Sequence, residues 1–172
     1  FAEFKLSGIN RLSIGIQSFQ GEKLLKLGRI HDEKQAVSAV EMAHRTGFEN
    51  INIDLMYGLP EQSLEDATFD INTACHLSPT HISWYQLTLE PNTLFAAHPP
   101  ALPSNDHIWQ IQETGQMILS GSGFKQYEVS AYAKNKSYCL HNVNYWEFGD
   151  YLGIGAGAHS KLTAENPLTI TR

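Results

Sequence analysis

Three polar side chains in this sequence suit the recognition of a small zwitterion. Gln17 ends the run Arg11-Leu12-Ser13-Ile14-Gly15-Ile16-Gln17, Arg29 follows Leu27-Gly28, and Asp54 lies in Ile51-Asn52-Ile53-Asp54-Leu55-Met56-Tyr57-Gly58-Leu59-Pro60. A guanidinium donates in a planar fork that matches a carboxylate, and a primary amide adds a donor and an acceptor. An ionised Asp only accepts, which fits ribose hydroxyls. Together the three would hold a nucleoside joined to an amino acid. The competing reading is a rim salt bridge between Arg29 and Asp54 beside an unrelated Gln17, and spacing leaves both open. A fourth group, His141, sits in Cys139-Leu140-His141-Asn142-Val143-Asn144-Tyr145-Trp146, one imidazole among aromatic side chains. Imidazole is a common axial ligand of haem iron, and aromatic rings pack against a macrocycle. A hydrogen-bonded structural His beside an aromatic cluster is the simpler reading of that spacing.

Positioning such groups requires strands that end together. Residues 9–16 alternate, with Leu12, Ile14 and Ile16 on one face, so Gln17 falls at a strand end. Lys23 to Leu27 reads as a short helical turn closed by Gly28, which sets Arg29 just beyond it. Asp32 with Gln35 forms a capping-box pattern and opens a helix striped by Ala36, Val40 and Ala43, with Gly47 suited to its C′ position. The run 51–60 predicts a buried strand whose carboxyl end delivers Asp54 to a rim, broken at Gly58 and Pro60; an Asp capping a turn is the alternative. Ser63 with Asp66 opens the next helix, and Leu64, Ala67, Ile71, Ala74 and Cys75 share a face, so Cys75 is read as core packing. Pro79 stops that helix, and His81 to Leu89, rich in aromatic and β-branched residues, predicts a third strand.

Strand, helix, strand, helix, strand is the order of a parallel sheet with crossover helices, whose strand ends form the ligand rim when it curves into a barrel. A Pro-rich excursion follows through Pro91, Pro99, Pro100 and Pro103. Next come a helix from Ser104 or Asp106, with Ile108, Ile111, Gly115, Ile118 and Leu119 in register, and a short fourth strand from Gln126 to Ala131. Beyond Ala133 the composition turns polar and aromatic, which sets a soft boundary there.

Composition narrows the classes. The 172 residues suffice for a domain with a real core, and a net charge of −6 argues against a general nucleic-acid binder. No apolar run is long enough to span a bilayer, and no signal peptide is visible. Cys75 and Cys139 are the only cysteines, so a disulfide framework is not expected and a cytoplasmic location is the default. The opening Phe1 in mid-pattern suggests a piece of a longer chain. Gly153-Ile154-Gly155-Ala156-Gly157-Ala158 fits G-x-G-x-x-G/A only superficially, because Ser160, Lys161 and Thr163 follow where a βαβ unit needs a helix. Glycines there suit a strand passing close to another backbone or a flat ligand. His31, His44, His76, His81, His98 and His107 lack metal-ligand spacing and are read as surface or packing residues.

Asn10-Arg11-Leu12-Ser13-Ile14-Gly15-Ile16-Gln17-Ser18-Phe19, Leu27-Gly28-Arg29-Ile30-His31 and Asn52-Ile53-Asp54-Leu55-Met56-Tyr57-Gly58-Leu59-Pro60 together resemble the coproporphyrinogen III oxidase-like branch of the radical SAM superfamily. Within that branch, Ser83-Trp84-Tyr85-Gln86-Leu87-Thr88, Glu90-Pro91-Asn92-Thr93-Leu94-Phe95 and His141 through Trp146 with Gly149-Asp150-Tyr151 are similar to its haem-chaperone members. The resemblance covers nearly the whole chain. It implies an α/β fold, an incomplete (β/α) TIM-type barrel with parallel strands that binds S-adenosylmethionine beside a [4Fe-4S] cluster. Residues 1–133 would be the C-terminal half of that partial barrel, and 134–172 the last strand region and the start of the family-specific C-terminal part.

Carried over by position, Gln17, Arg29 and Asp54 match S-adenosylmethionine contacts. Thr88 matches another, one that the related oxidase fills with a different residue, so it implies a backbone contact. His141 matches the His of an H-N-x-x-Y-W motif associated with haem and absent from the oxidase. The implied function is therefore haem binding and delivery to haem-requiring proteins. Coproporphyrinogen III oxidation is the alternative, and a non-catalytic binding fragment the second. The C-x-x-x-C-x-x-C motif that holds the family's cluster is absent, as is the Gly-rich segment near the methionine amino group, and both are expected upstream of Phe1.

Overall fold

A computed structural model describes residues 1–163 and 169–171. It forms two compact units, Phe1–Ser137 and Tyr138–Arg172. In the first, α1 (Ala2–Leu6) leads into β1 (Arg11–Gln17), α2 (Gly21–Lys26), α3 (Glu33–Arg45), β2 (Asn50–Tyr57), α4 (Leu64–His76) and β3 (His81–Gln86). Then come α5 (Leu94–Ala97), α6 (Asn105–Gly121), β4 (Lys125–Gln126) and β5 (Ala131–Ala133). The sheet order is β1-β2-β3-β5-β4, with β1, β2 and β3 parallel.

Local chemistry sets these boundaries. Asp32 and Gln35 exchange both hydrogen bonds of a capping box at the start of α3, and Ser63 and Asp66 do the same for α4. Gly47 takes a φ of 85° where the chain leaves α3. Ser104 caps α6 through a bond from the His107 backbone N–H.

Alternation along the strands then divides the sheet into two faces. Ile16, Ile53, Leu55, Tyr57, Ile82 and Trp84 form a single buried core with the apolar stripes of α3, α4 and α6. Gly115 lets α6 approach that core: a Cβ there would lie 2.0 Å from the Trp84 ring and 2.7 Å from Ile71 Cδ1. The other face is polar and carries Ser13, Asn52, Asp54, His81, Ser83 and Tyr85.

Two sequence expectations change. The third strand ends at Gln86 rather than Leu89, and the stretch from Gln126 to Ala131 is not one strand. β4 and β5 form an antiparallel hairpin, pairing Lys125 with Ala133 and Gln126 with Tyr132. Polar side chains make the turn: Gln126 Nε2 donates to the Val129 carbonyl at 3.0 Å, and the Ser130 N–H donates to Glu128 at 2.8 Å. The Pro-rich excursion holds one helical turn, α5, capped by Thr93. No helix among the described residues is long and apolar enough to cross a membrane.

The second unit contains α7 (Leu140–Trp146), β6 (Ser160–Leu162) and β7 (Thr169–Thr171), the two strands antiparallel. The glycine-rich run 153–158 lies between Tyr151, which bridges to Lys161, and β6, and no helix follows it among the described residues. A Cβ on Gly153 would sit 2.2 Å from the His159 carbonyl oxygen, so the glycine serves a close backbone approach.

Candidate functional site

Gln17 closes β1 at a register slip, where Gly15 faces Asp54 and Gln17 faces Leu55. It adopts a φ of 72°, unusual for a residue with a side chain. Its side chain is buried and lies against Gly15, where a Cβ would come within 3.0 Å of the Gln17 Nε2. The Tyr85 hydroxyl donates to Gln17 Oε1 at 2.7 Å, which orients the amide with Nε2 as its donor end.

The loop after β1 is tied down from α4. Ser18 Oγ donates to Asp70 at 2.8 Å, the Phe19 N–H donates to the same carboxylate at 2.7 Å, and the Gln20 N–H donates to Ser18 Oγ at 3.1 Å. Asp70 is fully buried, and that burial raises its pKa to about 6 against the opposing pull of both hydrogen bonds. His31 Nε2 donates to the Ile16 carbonyl at 2.9 Å, which draws the segment carrying Arg29 toward the end of β1.

Asp54 lies deeper than the sequence suggests. β2 runs on to Tyr57, so Asp54 projects from mid-strand, between Gly15 on β1 and Ser83 on β3. Asn52 Nδ2 donates to its Oδ1 at 2.7 Å, and Ser13 Oγ donates to its Oδ2 at 3.1 Å. Each carboxylate oxygen keeps a second lone pair for a ligand hydroxyl. Arg29 is exposed, and among the described residues no ion pair joins it to Asp54. Tyr85 is bonded to Gln17 and feels the charges of both Asp54 and Arg29. Burial raises its phenol pKa, the Asp54 charge raises it further, and the Arg29 charge and the bond to Gln17 pull it down. Thr88 lies beyond the last residue of β3 and is exposed, its hydroxyl donating to Glu90 at 2.9 Å. It lines a groove of about 470 Å³ with Gly28, Leu94 and Phe95.

The polar residues that surround Asp54 were not singled out in the sequence. Their signal is a polar residue at every second position, in Asn52-Ile53-Asp54 and in His81-Ile82-Ser83-Trp84-Tyr85. His81 takes the packing side of the surface-or-packing reading: it is buried and bonded through both ring nitrogens.

His141 belongs to the second unit. It is exposed on α7, with its ring edge-on to Tyr145 at 4.6 Å and to Tyr151 at 5.6 Å between centroids. Leu140, Trp146, Phe148, Leu152 and Ile154 in the same unit are exposed apolar side chains. Asn144 braces the turn after α7 by donating to the Asp150 carbonyl at 3.0 Å. No group of three or more His, Cys, Asp or Glu among the described residues is arranged to hold a metal ion. Cys75 packs against the core, and burial raises its thiol pKa.

Residues 1–71 match the family model described as the Radical SAM superfamily. Among curated relatives it is 54% identical over 163 residues to "Heme chaperone HemW" of Escherichia coli, covering 95% of this chain and 43% of that protein. It is 56% identical over 163 residues to the protein of the same name from Haemophilus influenzae, again covering 95% of this chain and 43% of the relative. The solved structure of coproporphyrinogen III oxidase (HemN) from Escherichia coli, described as a radical SAM enzyme, superposes with a TM-score of 0.75 at 28% identity, over 91% of this chain and 40% of that one. The chain thus spans less than half the length of the relatives it matches.

Proposed function

We propose that this chain is the central part of a radical SAM haem chaperone, a cytoplasmic protein that binds haem and hands it to haem-requiring proteins. The observation that carries the reading is the 54–56% identity, over 95% of the chain, to relatives named heme chaperones. The donor set around Tyr85 supports S-adenosylmethionine as a ligand. Arg29 and the amide of Gln17 suit the methionine carboxylate, and Asp54, which only accepts, suits the ribose hydroxyls. Thr88, whose hydroxyl is taken by Glu90, contributes through its backbone. S-adenosylmethionine beside a [4Fe-4S] cluster supplies radical chemistry. Two cysteines cannot provide the cluster's thiolates, so those ligands belong to another part of the parent protein.

His141 is the proposed haem ligand: an exposed imidazole, held edge-on by Tyr145 and Tyr151, in a unit that exposes Trp146 and Phe148. Haem titration of the full-length parent protein carrying His141→Ala tests this, with loss of affinity and a changed Soret band as the expected result. An unchanged Soret band and affinity would remove His141 from the role. The oxidase reading draws on the likeness to HemN, at a much lower 28% identity. Turnover of coproporphyrinogen III by the reconstituted parent protein would decide for it.

A further inference from the structure

A directed chain of hydrogen bonds runs from the hairpin across the polar face to Asp54. Tyr127 Oη lies 2.6 Å from His81 Nε2, His81 Nδ1 lies 2.6 Å from Asn52 Oδ1, and Asn52 Nδ2 lies 2.7 Å from Asp54 Oδ1. Its direction is fixed at one end. An ionised Asp54 can only accept, so Asn52 must turn its NH2 toward the carboxylate. The Asn52 carbonyl oxygen then faces His81, so Nδ1 must carry the imidazole proton. In a neutral ring Nε2 accepts, and the Tyr127 hydroxyl donates to it. Burial, assisted by the positive charge of Arg11, lowers the His81 pKa to about 4 and so keeps the ring neutral. Asn52 is clamped further: its Nδ2 contacts Ser13 Oγ at 2.6 Å, and Ser83 Oγ donates to its Oδ1 at 3.1 Å.

We propose that Asn52 and His81 are positioning residues for cofactor binding: they fix the orientation of the Asp54 carboxylate so that its remaining lone pairs meet the ligand's ribose hydroxyls. The inference rests on the reading of Asp54 as a ribose acceptor. Asn52 and His81 are each at most 2% exposed, too deep to touch a ligand bound at the strand ends, so they act through Asp54. Ser13 is exposed and bonded to both Asn52 and Asp54, so it completes the clamp from β1.

The test is a double-mutant cycle on S-adenosylmethionine affinity, using the full-length parent protein with its cluster reconstituted. Asp54→Asn is expected to weaken binding at least tenfold. Asn52→Leu is expected to weaken it about tenfold with Asp54 present, and to add almost nothing in the Asp54→Asn background. A general packing defect would instead weaken both backgrounds equally, and that result overturns the proposal. If Asp54→Asn itself binds normally, the ribose reading has failed, whatever Asn52 does. A second pair covers the case in which Asn52→Leu does not fold. His81→Asn keeps a donor aimed at the Asn52 carbonyl oxygen and is expected to bind within threefold of wild type, whereas His81→Leu loses about tenfold. Equal affinities for the two His81 variants also overturn the proposal.

Discussion

Asp70 gives the account a quantitative test. Its carboxylate holds the turn that follows Gln17, through Ser18 Oγ at 2.8 Å and the Phe19 N–H at 2.7 Å, yet burial raises its pKa from 3.8 to about 6. A folded-state pKa above the unfolded one means that the folded chain binds the proton more tightly. The stabilisation is therefore complete below pH 3.8 and is lost as pH rises through about 6. A shift of roughly two units corresponds to about 3 kcal/mol. The perturbation is Asp70→Asn, which keeps the shape and removes the titration. Urea unfolding of both chains between pH 4 and 8 can be followed through the buried Trp84. Groups common to both chains cancel in the difference, so wild type should gain stability over the variant on acidification, by up to about 3 kcal/mol. Parallel stability curves across that range would refute the assignment of a strained, buried carboxylate behind Gln17.

Other outcomes follow from the same geometry. His81 should remain neutral down to about pH 5, because burial and Arg11 lower its pKa to about 4; an imidazole NMR titration with a midpoint near the ordinary 6.5 would contradict this. That shift has the opposite sign to the Asp70 one: stability from His81 is present above 6.5 and lost as pH falls toward 4, so Asp70→Asn should expose a steeper acid destabilisation. Tyr85→Phe removes the donor to Gln17 Oε1 and should weaken S-adenosylmethionine binding about fivefold, measured by equilibrium dialysis, whereas unchanged affinity would detach Gln17 from that ligand. Gly115→Ala would drive a Cβ into Trp84 and Ile71 and should cost about 1–3 kcal/mol, with altered near-ultraviolet dichroism; wild-type stability would contradict the close α4–α6 packing.

The helical layer was legible because its signals are local. Asp32 with Gln35 and Ser63 with Asp66 are complete capping boxes within four residues, and the stripes Ala36-Val40-Ala43 and Ala67-Ile71-Ala74 are the ones buried. The parallel order of β1, β2 and β3 follows from strands that alternate with those helices. The hairpin was harder to see, since a two-residue strand carries too little alternation to register and its turn uses Gln126 and Glu128 rather than Gly or Pro. Gly58 and Pro60 mark the end of β2, but not how far back from that end Asp54 sits: it faces the polar side three residues before Tyr57. Asp54 bonds Ser13 on β1 and Asn52 on its own strand, and Asn52 in turn bonds His81 on β3, so the strand register brings the three neighbours together.

The central proposal is that Gln17, Arg29 and Asp54 share one ligand around Tyr85. A crystal structure of the full-length parent protein with bound S-adenosylmethionine measures this most directly. The account predicts the methionine carboxylate within hydrogen-bond distance of the Arg29 guanidinium and Gln17 Nε2, and the ribose hydroxyls on Asp54. A ligand seated elsewhere, with Asp54 still bonded only to Asn52 and Ser13, would contradict it.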